Sequence, residues 1–184
     1  MTNQTVGLNP GQNTGALKDI RVVEFGQLIA GPFCGQLLGD MGADVIKVEP
    51  PGVGDPMRQW GNGEHKVWWE VIGRNKRSVT ANLRVPEGQE LARGLLADAD
   101  IMIENFKPGT MEKWGLDPAT LHAINPRLII VRISGYGQTG PYSSRASFGG
   151  IGEEPRRCVD RRYAGGHLRL HGCAGCAPRA RNDG

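Results

Sequence analysis

Two short β-branched runs, residues 20–25 (IRVVEF) and 44–49 (DVIKVE), flank a glycine-rich stretch with helical spacing. Runs of this kind, apolar without alternation, suit parallel strands buried on both faces. Parallel neighbours need a crossover between them, so the first fifty residues imply a β-α-β unit. In the crossover, Pro32 suits a first helical turn, and Phe33, Leu37, Leu38 and Met41 fall at helical spacing. Downstream, residues 78–83 (SVTANL) read as extended. Residues 86–99 (PEGQELARGLLADA) read as a helix that starts at Pro86 and carries a Leu91, Leu95, Leu96 stripe. Two more apolar strands, residues 100–105 (DIMIEN) and 127–134 (RLIIVRIS), flank a short proline-bounded helix over 117–126. Strands alternating with helices predict an α/β fold with a parallel sheet.

Ligands of such folds bind beyond the carboxyl ends of the strands. The segments there are GQLIAGP (26–32), EPPGVGD (49–55), ENFKPG (104–109) and SGYGQTGP (134–141). Each is rich in Gly or Pro. Any one of them reads as an ordinary turn, but four of one character on one edge point to a ligand. Gly lets backbone approach a ligand closely, and N–H groups at a helix start favour phosphate. No G-x-G-x-x-G follows the first strand and no G-K-[ST] occurs, which argues against a plain NAD or ATP site.

Charge divides the chain. Residues 1–153 hold 15 Lys+Arg and 16 Asp+Glu, a net of −1, whereas residues 154–184 hold seven Arg and three acids, a net of +4. Cys158, Cys173 and Cys176, three of the four cysteines, also lie in that tail. No window approaches 18 apolar residues, so no membrane span is expected. The polar start, MTNQTVGLNPGQNTG, lacks the basic and apolar regions of a secretory signal and reads as a flexible lead, residues 1–16, of a cytoplasmic protein.

The motifs A-G-P (30–32), K-x-E-x-P (47–51), P-E-G (86–88), E-N-F-x-P-G (104–109) and G-Y-G-x-x-G-P (135–141) occur in this order. Together they make residues 17–152 similar to the N-terminal part of the class III coenzyme A transferases, which include the formyl-CoA and carnitine-CoA transferases and the α-methylacyl-CoA racemases. The resemblance implies the incomplete N-terminal half of a Rossmann-like large domain, a parallel sheet with flanking helices, in an interlocked homodimer. It implies acyl-CoA and a carboxylic acid as substrates, no tightly bound cofactor, and neither nucleic acid nor membrane as partner. An Asp carboxylate would attack the thioester and carry the acyl group. Gly-flanked backbone N–H groups would stabilise the oxyanion.

By the same resemblance, Leu28 and Ile29 would lie beside the thioester and Arg84 near the phosphates. Asn105 and Phe106 would lie near the pantetheine, Lys113 at the nucleotide end and Tyr136 near the reacting centre. Without it, Arg84, Lys113 and Tyr136 read equally as surface residues and Phe106 as core. Some family members carry a basic residue at the place of Pro50 or Ser134; here neither is charged.

The resemblance stops near Glu153, and residues 153–184 show no helical or strand periodicity, so disorder is expected there. The S-x-G-D segment that should hold the nucleophile is absent, and Asp160 lacks its flanks and the helix after it. A frameshift would account for the tail, with the nucleophile's codon straddling those of Arg162 and Tyr163. His167, His171, Cys173 and Cys176 are zinc-type ligands at close spacing, but no periodic scaffold surrounds them. The main reading is a catalytically inactive CoA-transferase portion. A non-enzymatic CoA-binding or partner-binding remnant and a zinc-binding interaction protein built on the tail stay open beside it.

Overall fold

The computed structural model describes residues 15–61 and 67–145. The chain divides at Ser134 into two units, and the first carries every regular element among the described residues. In chain order these are β1 (Arg21–Glu24), α1 (Ala30–Asp40), β2 (Asp44–Glu49), a 3-10 turn (Pro56–Gln59), α2 (Val67–Gly73) and β3 (Lys76–Thr80). Then come α3 (Pro86–Ala97), β4 (Ile101–Glu104), α4 (Thr110–Lys113), α5 (Pro118–Ile124) and β5 (Ile129–Arg132). The strands form one parallel sheet in the order β3-β2-β1-β4-β5. The α/β class expected from the sequence is therefore the observed one, with α2 an element the sequence did not announce.

Alternation along the central strands supplies both faces. Val23 of β1, Val48 of β2 and Met102 of β4 enter one cluster with Ala92 and Leu96 of α3, Met111 of α4 and Leu121 of α5. Val22, Val45 and Ile103 enter the other, against Cys34 and Leu38 of α1. Asp117 caps α5 by accepting from the Thr120 N–H at 3.0 Å, and Pro118 occupies its first turn.

Helix α1 sits on the sheet by its small side. Gly31, Pro32, Gly35, Gln36 and Gly39 are buried, whereas Ile29, Phe33, Leu37 and Met41 are each 42–53% exposed. A Cβ on Gly35 would run into the Glu24 carboxylate, and one on Gly39 would lie 3.1 Å from the Asn75 carbonyl oxygen. Of the residues at helical spacing, only Leu38 packs toward the sheet. In α3, Leu96 is fully buried and Leu95 packs on the core, while Leu91 is exposed.

The second unit is described only over residues 135–145. Tyr136 and Tyr142 meet with ring centroids 6.0 Å apart, and the Arg145 guanidinium lies over the Tyr142 ring. The expected lead over 1–16, apart from its last two residues, and the expected tail over 153–184 lie outside the described residues. So do Asp160 and the four zinc-type ligands, and no group that could hold a metal occurs among the described residues. No helix among them is long and apolar enough to cross a membrane.

Candidate functional site

A cleft of about 610 Å³ opens at the carboxyl ends of the strands. Its lining comes from β1 and the residues after it (Phe25, Gln27), β2 and its loop (Val48–Pro51, Val53), the segment after β3 (Ala81–Arg84), and Phe106, Thr110 and Trp114 beyond β4. Phe106 and Trp114 meet edge to face with centroids 5.2 Å apart. They give the cleft a rigid aromatic side. Arg84 is its cation. The Arg84 backbone N–H donates to Asn82, and its guanidinium has no acidic partner among the described residues.

Beneath α1 lies a buried ionic group. Lys47 Nζ reaches Glu24 Oε1 at 2.9 Å, Asp55 Oδ2 at 2.8 Å and the Gly26 carbonyl oxygen at 2.7 Å. Its ammonium thus donates to Glu24 and Gly26 and forms an ion pair with Asp55. Lys76 Nζ pairs with the other Glu24 oxygen at 2.7 Å and donates to the Pro32 carbonyl at 2.6 Å. Burial pushes the Lys76 ammonium below its ordinary range, against the attraction of Glu24. Two carboxylates and two ammoniums make this group neutral, which is what allows burial of charge.

Glu49, at the end of β2, forms a second group. Its carboxylate accepts two hydrogen bonds from Arg58 at 2.7 Å each, one from the Ser78 hydroxyl at 2.6 Å and one from the Asp55 N–H at 2.7 Å. Burial pushes its carboxyl up, but these donors outweigh burial and bring the pKa to about 2. Arg58 also stacks over Trp69 of α2, 3.8 Å from the ring centroid. At the end of β4, burial pushes the Glu104 carboxyl up, opposed by Arg132 and the Phe106 N–H.

The residues singled out from the sequence separate into groups. Arg84 and Phe106 line the cleft together. Asn105 spends its amide on the loop after β1: it accepts from the Gln27 N–H at 2.7 Å and donates to the Gln27 carbonyl at 2.9 Å. Leu28 sits in that loop with φ 62°, and Ile29 is 45% exposed at the start of α1. Lys113 is exposed in the last turn of α4, outside the cleft lining. Tyr136 belongs to the second unit. The sequence reading missed Trp114, Asn82 and the Glu24–Lys47–Asp55–Lys76 group. K-x-E-x-P marked Lys47 and Glu49, but not their partners.

A parallel sheet whose connections reverse direction between β1 and β4, with a cleft outside the strand ends, defines a doubly wound α/β domain. The chain belongs to CoA-transferase family III, whose profile matches residues 17–155. It is 59% identical over 140 residues to a succinyl-CoA–D-citramalate CoA-transferase of Chloroflexus aurantiacus, covering 74% of this chain and 35% of that protein. It is 47% identical over 141 residues to a succinate–glutarate CoA-transferase of Agrobacterium fabrum, covering 72% and 35%. Among solved structures, a CAIB/BAIF family protein from Brucella suis superposes with TM-score 0.69 at 46% identity, covering 76% of this chain and 40% of that one. The chain spans about a third of the length of the curated relatives it matches.

Proposed function

We propose that the described residues form the CoA-binding part of an enzyme that moves CoA between an acyl-CoA thioester and a carboxylic acid. The observation that carries this reading is the cleft at the strand ends. It sets Arg84, a cation with no acidic partner among the described residues, beside an aromatic side made by Phe106 and Trp114. A phosphate-bearing ligand with a long uncharged arm matches that pairing. Relatives named for succinyl-CoA and citramalate, and for succinate and glutarate, favour succinyl-CoA as donor and a dicarboxylic acid as acceptor.

In the proposed reaction an Asp carboxylate attacks the thioester carbonyl, forming an anhydride and releasing CoA thiolate. The thiolate attacks the carbonyl that belongs to the Asp, which frees the donor acid and leaves an enzyme–CoA thioester. The acceptor carboxylate then attacks that thioester, expelling CoA thiolate and forming a second anhydride, and the thiolate attacks the acceptor's carbonyl, which frees the Asp carboxylate and completes the new acyl-CoA. Leu28 and Ile29 would face the thioester and Arg84 the phosphates. Phe106 would flank the pantetheine, with Lys113 at the nucleotide end. Asn105 would act by holding Gln27. Assembly as a dimer is part of the proposal, and two relatives are named as the alpha and beta subunits of a succinyl-CoA–L-malate CoA-transferase. A cytoplasmic setting, where acyl-CoA is available, completes it.

The 184 residues contain no S-x-G-D segment. This chain is therefore expected to bind CoA without turning it over. The test is calorimetry with CoA, followed by incubation with succinyl-CoA and mass spectrometry of the intact chain. Binding without a covalent adduct is expected. A stoichiometric adduct on Asp160 or another carboxylate would make the chain an enzyme in its own right, and no binding at all would remove the CoA reading.

A further inference from the structure

The loop between β1 and α1 contains a non-glycine residue in the left-handed region, Leu28, at φ 62°. A backbone of this kind persists where its surroundings over-determine it. Here every residue leading to Leu28 is tied down. Gly26 offers its carbonyl to Lys47 at 2.7 Å, Gln27 is held through both backbone groups by Asn105, and the Leu28 N–H donates to Asp55 Oδ1 at 3.1 Å. Asp55 also accepts from the Met57 N–H at 2.8 Å and pairs with Lys47. On the far side of the loop, Lys76 holds Pro32 in the first turn of α1. The side chains of Glu24, Lys47 and Asp55 are at most 1% exposed and that of Lys76 is 2% exposed.

We infer that Asp55 is the positioning residue of this loop: its carboxylate fixes the left-handed Leu28, and so decides where Leu28 and Ile29 stand against the acyl end of the ligand. The inference deepens the acyl-CoA reading and rests on it for the identity of that ligand. The chemistry requires a carboxylate. Lys47 needs an acceptor on one side of residue 55, and the N–H groups of Leu28 and Met57 need an acceptor on the other. An amide of the same shape has one accepting and one donating end, so it satisfies only one of the two sides.

The test uses the full chain with Asp55→Asn and Asp55→Glu, read by residue-resolved amide hydrogen exchange and by the affinities for free CoA and succinyl-CoA. Asp55→Asn is expected to speed exchange at Leu28 about tenfold, with Val23 and Ile103 in the sheet unchanged. It should weaken succinyl-CoA binding about tenfold and free CoA binding far less, because free CoA has no acyl end for Leu28 and Ile29 to meet. Asp55→Glu, which keeps an acceptor on both sides, should recover part of the loss. An unchanged Leu28 amide, or equal weakening of both ligands, overturns the positioning role. A Leu28 amide that exchanges in the wild-type chain as fast as an open loop overturns it without any variant. If the wild-type chain binds neither ligand, the acyl-CoA reading falls, while the exchange data still decide whether Asp55 holds the loop.

Discussion

Arg84 illustrates how one side chain acquires a meaning from its surroundings. Most basic residues near the sheet have acidic partners: Arg58 with Glu49, Arg132 with Glu104 and Glu112, Arg77 with Asp44. Arg84 has none among the described residues and faces a cleft. Arg84→Ala is expected to weaken CoA binding by about 1.5–3 kcal/mol, the range of a charge-assisted contact, and to leave the melting temperature nearly unchanged. Calorimetry beside a thermal melt checks both parts, and equal CoA affinity in the two proteins would remove Arg84 from the site. The resemblance, rather than the residues alone, singled out Arg84 and Phe106: by themselves Arg84 reads equally as a surface charge and Phe106 as core, and the structure places both in the cleft lining. The resemblance also set Asn105 near the ligand, and the fold adds that its amide is held by the Gln27 backbone, a pairing that residue type and position do not reveal. Glu24 was invisible as a site residue, since its partners Lys47 and Lys76 come from other strands and only the sheet brings them together.

At the scale of elements, α1 is the one whose orientation the sequence misleads about. Helical spacing of Phe33, Leu37 and Met41 suggests an inward stripe, yet these residues point outward because the Glu24 carboxylate and Asn75 leave room only for glycine. Gly35→Ala is expected to cost at least about 1–3 kcal/mol, the range of overpacking, by driving a methyl group into Glu24. Gly94→Ala is its control: it lies in α3 with nothing near its Cβ position and should stabilise by up to about 1 kcal/mol. Urea unfolding of both variants checks the contrast, and a neutral Gly35→Ala would show that the helix can shift. The outward stripe, with exposed Val67, Trp68 and Val71 of α2, adds apolar surface of the kind that promotes association. Phe33→Lys with Trp68→Lys should lower concentration-dependent association in light scattering, and unchanged association would place the sticky surface elsewhere. The central strands β1, β2 and β4 were legible from their buried apolar runs, whereas β3, polar and largely exposed over Lys76–Thr80, was placed at 78–83. Helix α2 was not legible, because a tryptophan pair next to the polar stretch 61–66 (GNGEHK) carries no periodicity.

For the whole molecule, acid stability follows from Glu49. Its folded pKa of about 2 lies below the ordinary 4.5. The resulting stabilisation, about 3 kcal/mol, is complete above the ordinary value and is lost as the pH falls through the folded one. Glu104, pushed up by burial, contributes with the opposite sign. The urea midpoint should hold between about pH 7 and 5 and fall toward pH 2. Glu49→Gln should lower it at neutral pH and flatten the fall, and an equally steep fall in that variant would assign the acid limb to other carboxylates. The buried ionic group also bears on the order in which the chain can assemble. Glu24, Lys47 and Asp55 come from β1, β2 and the loop after it, and together they carry one negative charge too many; Lys76, on β3, balances them. A chain growing from its N-terminus therefore holds an uncompensated charge beneath α1 until residue 76 has been added. Until then the β1-α1-β2 unit must stay hydrated at its centre, so synthesis order makes arrival of the third strand the event that lets the first two close.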